Sequence, residues 1–287
     1  MTANAAIEQR HYYVPQPSPY PILISGALLL MALGVVLSIN ALGPGNWFVG
    51  AGGLVLALAV SRWFGRVISE GRVGTYNAWE DRSFRLGMLW FIASEVVFFA
   101  GLFGILFYER QVSVPSLASF SPRYTPWPGF TGGWPSAGPK GAEFTPMQAL
   151  GIPAINTLIL LTSGATITWA HWKLHQNRRR LAALGVFLTL ALGITFLTLQ
   201  AREFHHAYTH LHLTLHSGVY GATFFLLTGF HGLHVTVGVI MLSVILARLL
   251  KGDFGPGREF AFEAVSWYWH FVDVVWVLLF AFVYWRK

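Results

Sequence analysis

Cysteine is absent from the 287 residues. The chain therefore offers no disulfide, thiolate metal site, iron–sulfur cluster or thiol nucleophile, and any metal must rest on His, Asp, Glu or Met. Charge is also scarce. Asp, Glu, Lys and Arg make up 11% of the chain, against about 25% in a soluble domain. So few charges cannot cover a soluble globular enzyme of this size. Disorder is excluded as well, because it needs low hydrophobicity and high charge. No internal repeat is visible, which leaves the inverted-repeat transporter plan without support. Apolar surface, by contrast, is abundant: 54% hydrophobic and 16% aromatic residues, with a mean hydropathy of +0.53. A polytopic membrane protein remains.

The net charge is +7, but its placement argues against nucleic acid as a partner. The densest basic run, Arg178-Arg179-Arg180, adjoins an apolar stretch, where membrane proteins keep topology signals. Residues 1–19 are polar and carry Pro15, Pro17 and Pro19; they lack the basic start and cleavage site of a signal peptide and are expected to form an N-terminal arm.

Seven apolar stretches are long enough for a hydrocarbon core of about 30 Å. They lie near 20–40, 47–68, 84–108, 148–171, 181–203, 218–248 and 260–284. The expected fold class is all-α integral membrane with seven transmembrane helices. Gly43-Pro44-Gly45 joins the first two, so 20–68 should be a helix hairpin. A polar connection over 69–83 leads to a second region, 84–287, holding the other five spans. The loop over 109–147 is rich in Pro, Gly, Ser and Trp and belongs outside the bilayer.

Lys and Arg set the expected orientation. With the N-terminus cytoplasmic, that side holds Arg10; Arg62, Arg66, Arg72, Arg82 and Arg85; Lys173 and Arg178 to Arg180; and Arg248, Lys251 and Arg258. These are thirteen of the 19 basic residues. The positive-inside rule then puts the C-terminus on the other side.

Polar groups within spans are the functional candidates. Glu95 sits about mid-depth in the third span, where a carboxylate is costly unless paired, hydrated or protonated. It is either a proton-exchanging group or a protonated acid bonded across a helix interface. Glu263, Ser266, His270 and Asp273 are spaced to share one helical face over about 15 Å. Such a stripe is a proton relay or, more commonly, a buried helix contact. The fourth span carries Asn156, Thr157, Thr162, Ser163, Thr166 and Thr168, and reads as helix-packing glue. Gly53 with Ala57, and Thr228 with Gly232, fit the same small-residue logic. Trp127 and Trp134 in the 109–147 loop are candidates for docking on a partner.

Among the histidines, His171/His175, His206/His210, His212/His216 and His231/His234 have chelating spacing. A His-based membrane oxygenase would gather its ligands on one side. The expected topology divides these pairs between both sides and a span, so they cannot share one site. The spacing leaves open a bis-His haem pair completed by another helix. The alternative is interfacial histidines bonded to lipid, backbone or neighbouring subunits.

Several blocks carry a resemblance. Phe91-Ile92-Ala93-Ser94-Glu95-Val96-Val97-Phe98-Phe99, Asn156-Thr157 with Ser163 to His171, Leu199-Gln200-Ala201-Arg202-Glu203-Phe204, Thr228 to Val235, and Phe262-Glu263-Ala264 with Trp267 to Trp276 together resemble subunit III of cytochrome c oxidase, over nearly the whole chain. Ser217, Ala222 and the Asn77–Phe84 segment depart from mitochondrial-type members and suggest a bacterial branch, in the inner (plasma) membrane. The resemblance implies a non-redox subunit of a proton-pumping oxidase in aerobic respiration. Haem a and copper are then expected in partner subunits I and II, with none in this chain, and cytochrome c as electron donor to the complex. It implies packing mainly on subunit I, support of proton uptake and turnover, and bound phospholipids in a cleft between helices 1–2 and helices 3–7. Glu95, Glu263, His270 and Asp273 are the implied intramembrane acids or proton-exchange groups. Trp63, Glu70, Arg248, Arg258 and His234 are the implied lipid-binding positions. A quinol oxidase relative would typically lack the first two spans, which the 20–68 hairpin argues against; a stand-alone transporter is the alternative of a different class.

Overall fold

A computed structural model describes residues 16–76, 78–119, 127–255 and 259–286. Seven helices long and apolar enough to cross a membrane are present, and no strand occurs among the described residues. They are α1 (Tyr20–Ile39), α2 (Gly45–Val73), α3 (Ala78–Tyr108), α4 (Ile152–His175), α5 (Arg179–His210), α6 (Gly218–Lys251) and α7 (Phe260–Leu279). The chain divides into two compact units, one ending at Ser83 and one starting at Phe84.

In the first unit α1 packs along α2. The approach is close because glycines face each other across the pair. A Cβ on Gly34 would lie 2.6 Å from the Val49 amide nitrogen, and one on Gly52 would lie 2.7 Å from Met31 Cγ. Gly52 and Ala59 are buried, whereas Ala57 is exposed and a Cβ on Gly53 would meet open space. The small-residue contact of α2 therefore lies on a different face from the Gly53/Ala57 pair marked by four-residue spacing. Spacing shows that two small residues share a face; it does not show which face meets a neighbour.

The second unit is a bundle. α4 packs on α5 and α7, α5 on α6, and α6 on α7. Trp269 of α7 is fully buried and fills space left by two glycines. A Cβ on Gly193 of α5 or Gly238 of α6 would come within 2.7 or 2.8 Å of its ring. Its indole N–H donates to Ser163 Oγ of α4 at 2.9 Å, so one side chain joins four helices. α3 is held by long aromatic side chains: Phe91 stacks near Tyr268, Phe98 meets Phe230 edge-on, and Phe99 meets Phe271.

Helices run further than the apolar stretches. α2 reaches Val73, where Gly74 takes a left-handed conformation (φ 77°) and closes the end. α3 starts at Ala78 and continues through a π turn, Glu109–Ser113, into a short α turn, Val114–Ala118. Hydropathy marks the hydrocarbon layer, whereas helical hydrogen bonding continues into polar residues such as the Arg66–Glu70 pair. In the 109–147 loop, Trp134 packs edge-on against Tyr220, with Phe144 stacked on the same ring. That indole is turned inward. Lys140 lies over the Trp127 ring at 4.9 Å.

Candidate functional site

The polar groups of the second unit form a chain of small, separate constellations. The sequence marks Glu95 alone and the Glu263–Asp273 stripe, and each gains a partner from another helix.

Glu95 on α3 meets His234 on α6. Glu95 Oε2 lies 2.9 Å from His234 Nε2. His234 Nδ1 lies 2.6 Å from the Phe230 carbonyl oxygen. A carbonyl only accepts, so Nδ1 carries a hydrogen. One further proton bridges Nε2 and the carboxyl group: either Glu95 is protonated and donates, or the imidazolium donates to the carboxylate. A partner of this kind is what makes an acid tolerable within a span. Phe98, Phe99 and Tyr268 surround the imidazole, with ring centroids at 6.1, 5.0 and 6.4 Å.

Along α7 the predicted stripe separates into two contacts. Glu263, in the first turn, pairs with Arg85 of α3. The sequence marks Arg85 only as a topology charge. His270 Nε2 lies 3.2 Å from Thr168 Oγ1 of α4, and its Nδ1 lies 3.7 Å from Asp273 Oδ2. Gly164 leaves the room that Asp273 occupies, since a Cβ there would sit 2.6 Å from Oδ2. These groups line a groove of ≈ 620 Å³ with Trp169 and Trp172. Ser266 is buried. Some α4 hydroxyls meet neighbouring helices: Thr166 bonds Thr189 at 2.8 Å and Trp276 donates to Thr157 at 3.0 Å, whereas Thr162 is exposed and donates to the Leu158 carbonyl of its own helix.

Of the remaining candidates, Trp63 stacks on Tyr20 with centroids 6.2 Å apart. Glu70 receives Arg66 at 3.2 Å and the Tyr76 hydroxyl at 2.7 Å. Arg248 lies 3.7 Å from Asp253 and over the Phe254 ring at 4.6 Å. Arg258 lies outside the described residues. Trp63, Glu70 and Arg248 are therefore all anchored by neighbours within their own unit.

The sequence reading attached no role to Glu203 of α5. It is 1% exposed, with Tyr284 and Gln200 beside it. An acid at the end of an otherwise uncharged apolar stretch is a signal the sequence carries; the Tyr284 partner, 81 positions on, is not. The histidine pairs stay apart. His231 is buried with Nε2 3.2 Å from the Val272 carbonyl oxygen, and His171 lies with His175 at the end of α4.

The family model described as "Cytochrome c oxidase subunit III" matches residues 10–287. The chain is 39% identical over 282 residues to "Cytochrome c oxidase subunit 3" of Dugong dugon, covering 96% of each chain. It is 38% identical to the protein of that name from Struthio camelus over 98% of each chain, and 38% identical to that from Cyprinus carpio over 96% of each. A full-length match of this kind, on a chain with seven membrane-crossing helices, shows that the chain belongs to the cytochrome c oxidase subunit III family.

Proposed function

We propose that the chain is the non-redox subunit III of a proton-pumping cytochrome c oxidase in an aerobic respiratory chain. Haem a and copper reside in partner subunits I and II, cytochrome c supplies electrons to the complex, and this chain packs mainly on subunit I. It supports proton uptake and sustained turnover and retains phospholipid.

The observation that carries the reading is the family match over residues 10–287. The donor chemistry is compatible with it. The ring nitrogens of His234 are turned to Phe230 and Glu95, and Nε2 of His231 to a backbone carbonyl. His270, Asp273 and Thr168 line a groove at a depth where polar groups are stable against another protein helix rather than lipid. Glu95, Glu263, His270 and Asp273 are the proposed proton-exchange groups. Trp63, Glu70, Arg248, Arg258 and His234 are the proposed lipid-contacting positions. The charge distribution supports a cytoplasmic N-terminus and an external C-terminus, and Ser217 and Ala222 support placement in a bacterial plasma membrane.

The test is co-purification through a tag on this chain. Partner chains with a haem a-type spectrum and copper are expected. Recovery of the chain alone, with a stoichiometric haem or with transport activity after reconstitution, overturns the proposal. A reporter fused after Lys287 should be active outside the cytoplasm; a cytoplasmic reporter refutes the orientation.

A further inference from the structure

At the end of the bundle where α4 stops and α7 starts, three groups with metal-binding chemistry converge. His171 and His175 are one helical turn apart on α4, with ring centroids 4.5 Å apart. Glu263 comes from the first turn of α7. One ligand-capable atom from each lies within 4.8 Å of the others. His171 Nε2 is enclosed and makes no hydrogen bond. Its ring is fixed by Phe262, stacked at 5.5 Å. His175 Nδ1 lies 2.9 Å from Glu259 Oε2. A carboxylate on the far nitrogen of an imidazole is the arrangement that orients histidine ligands and raises their basicity.

We infer that His171, His175 and Glu263 form a binding site for a divalent transition metal of the zinc class. Two imidazoles and one carboxylate are borderline donors, which favour zinc or cobalt over magnesium or calcium. Three protein ligands leave a fourth, tetrahedral position for water. Metal–ligand bonds of about 2.0–2.2 Å put donor atoms roughly 3.3–3.5 Å apart, so the three, now within 4.8 Å of one another, draw closer on binding. The His175 side chain is half exposed, with its Nδ1 on Glu259. Arg85 pairs with Oε2 of Glu263, leaving Oε1 for the metal. Its guanidinium also opposes a dication by charge. Metal affinity at this site is therefore set against the Arg85–Glu263 pair.

The test uses the full-length chain purified in detergent, stripped with EDTA and titrated with Co²⁺, whose tetrahedral complexes absorb strongly in the visible. One equivalent with a tetrahedral spectrum is expected, displaced by Zn²⁺. His171→Ala and His175→Ala should each weaken binding at least 10-fold, and Arg85→Ala should tighten it several-fold. His175 is exposed enough that its substitution leaves the fold intact, checked by an unchanged thermal unfolding midpoint. Wild-type affinity in His175→Ala, an octahedral spectrum, or weaker binding in Arg85→Ala overturns the site.

Discussion

Glu95 of α3 and His234 of α6, 139 positions apart, meet side chain to side chain, Oε2 to Nε2, at 2.9 Å. The Phe230 carbonyl accepts from the other imidazole nitrogen, Nδ1, at 2.6 Å. Glu95→Gln keeps a neutral hydrogen-bonding group against Nε2. Assembly and oxygen consumption of the complex are expected to stay largely intact, with stability changed by less than about 1 kcal/mol. His234→Ala leaves the carboxyl group without its partner and is expected to lower stability by about 1–3 kcal/mol. Thermal unfolding of the purified complex and oxygen electrode rates measure both. Complete loss of oxygen consumption in an assembled Glu95→Gln complex refutes the expectation.

The α1–α2 pair offers a sharp comparison of adjacent glycines. Gly52→Val drives a branched side chain into Met31 and the Ala27 carbonyl, while Gly53→Val meets open space. Gly52→Val should reduce the yield of folded protein and its unfolding temperature, with overpacking costs of about 1–3 kcal/mol or more. Gly53→Val should behave as wild type. Equal effects of the two substitutions contradict the packing described.

Trp269 joins four helices through two glycine contacts and one hydrogen bond. Trp269→Ala is expected to cost about 3–5 kcal/mol, enough to abolish assembly of a marginally stable subunit. Trp269→Phe fills much of the space but leaves Ser163 Oγ without the indole donor, for about 1 kcal/mol from the bond plus a small cavity. Unfolding midpoints that do not separate these two variants refute the ranking.

Arg248 lies against Asp253 and Phe254 at the end of α6. If the proposed lipid role holds, Arg248→Ala reduces the phospholipid that co-purifies and shortens the lifetime of the complex under turnover. Asp253→Asn is the control, since it removes the local ion pair and keeps the cation. Lipid mass spectrometry decides: unchanged lipid in Arg248→Ala, or an equal loss in Asp253→Asn, counts against lipid binding by Arg248 itself.

Much of this molecule was legible in one dimension. Scarce charge and seven long apolar stretches determine the membrane class and the helix count, because spanning hydrocarbon demands that composition. Some of the α4 hydroxyls announced their packing role, since polar groups in lipid must find protein partners. The motifs around Glu95, His171 and Trp267–Trp276 carried the family. Helix ends were less legible, because hydropathy ends where water begins and α2 and α3 continue beyond it.

Pairing was decided only by the tertiary structure. Nothing local in the sequence links Glu95 to His234, Glu263 to Arg85, His270 to Thr168 or Glu203 to Tyr284. Likewise, four-residue spacing marked Gly53 and Ala57 as a packing face, while the fold buries Gly52 and Ala59. An amino-acid sequence determines which groups cannot tolerate lipid, since that is a property of each side chain and its depth. Which partner relieves each one depends on how helices rotate and dock, and that is settled by close contacts such as the Trp269 ring between Gly193 and Gly238.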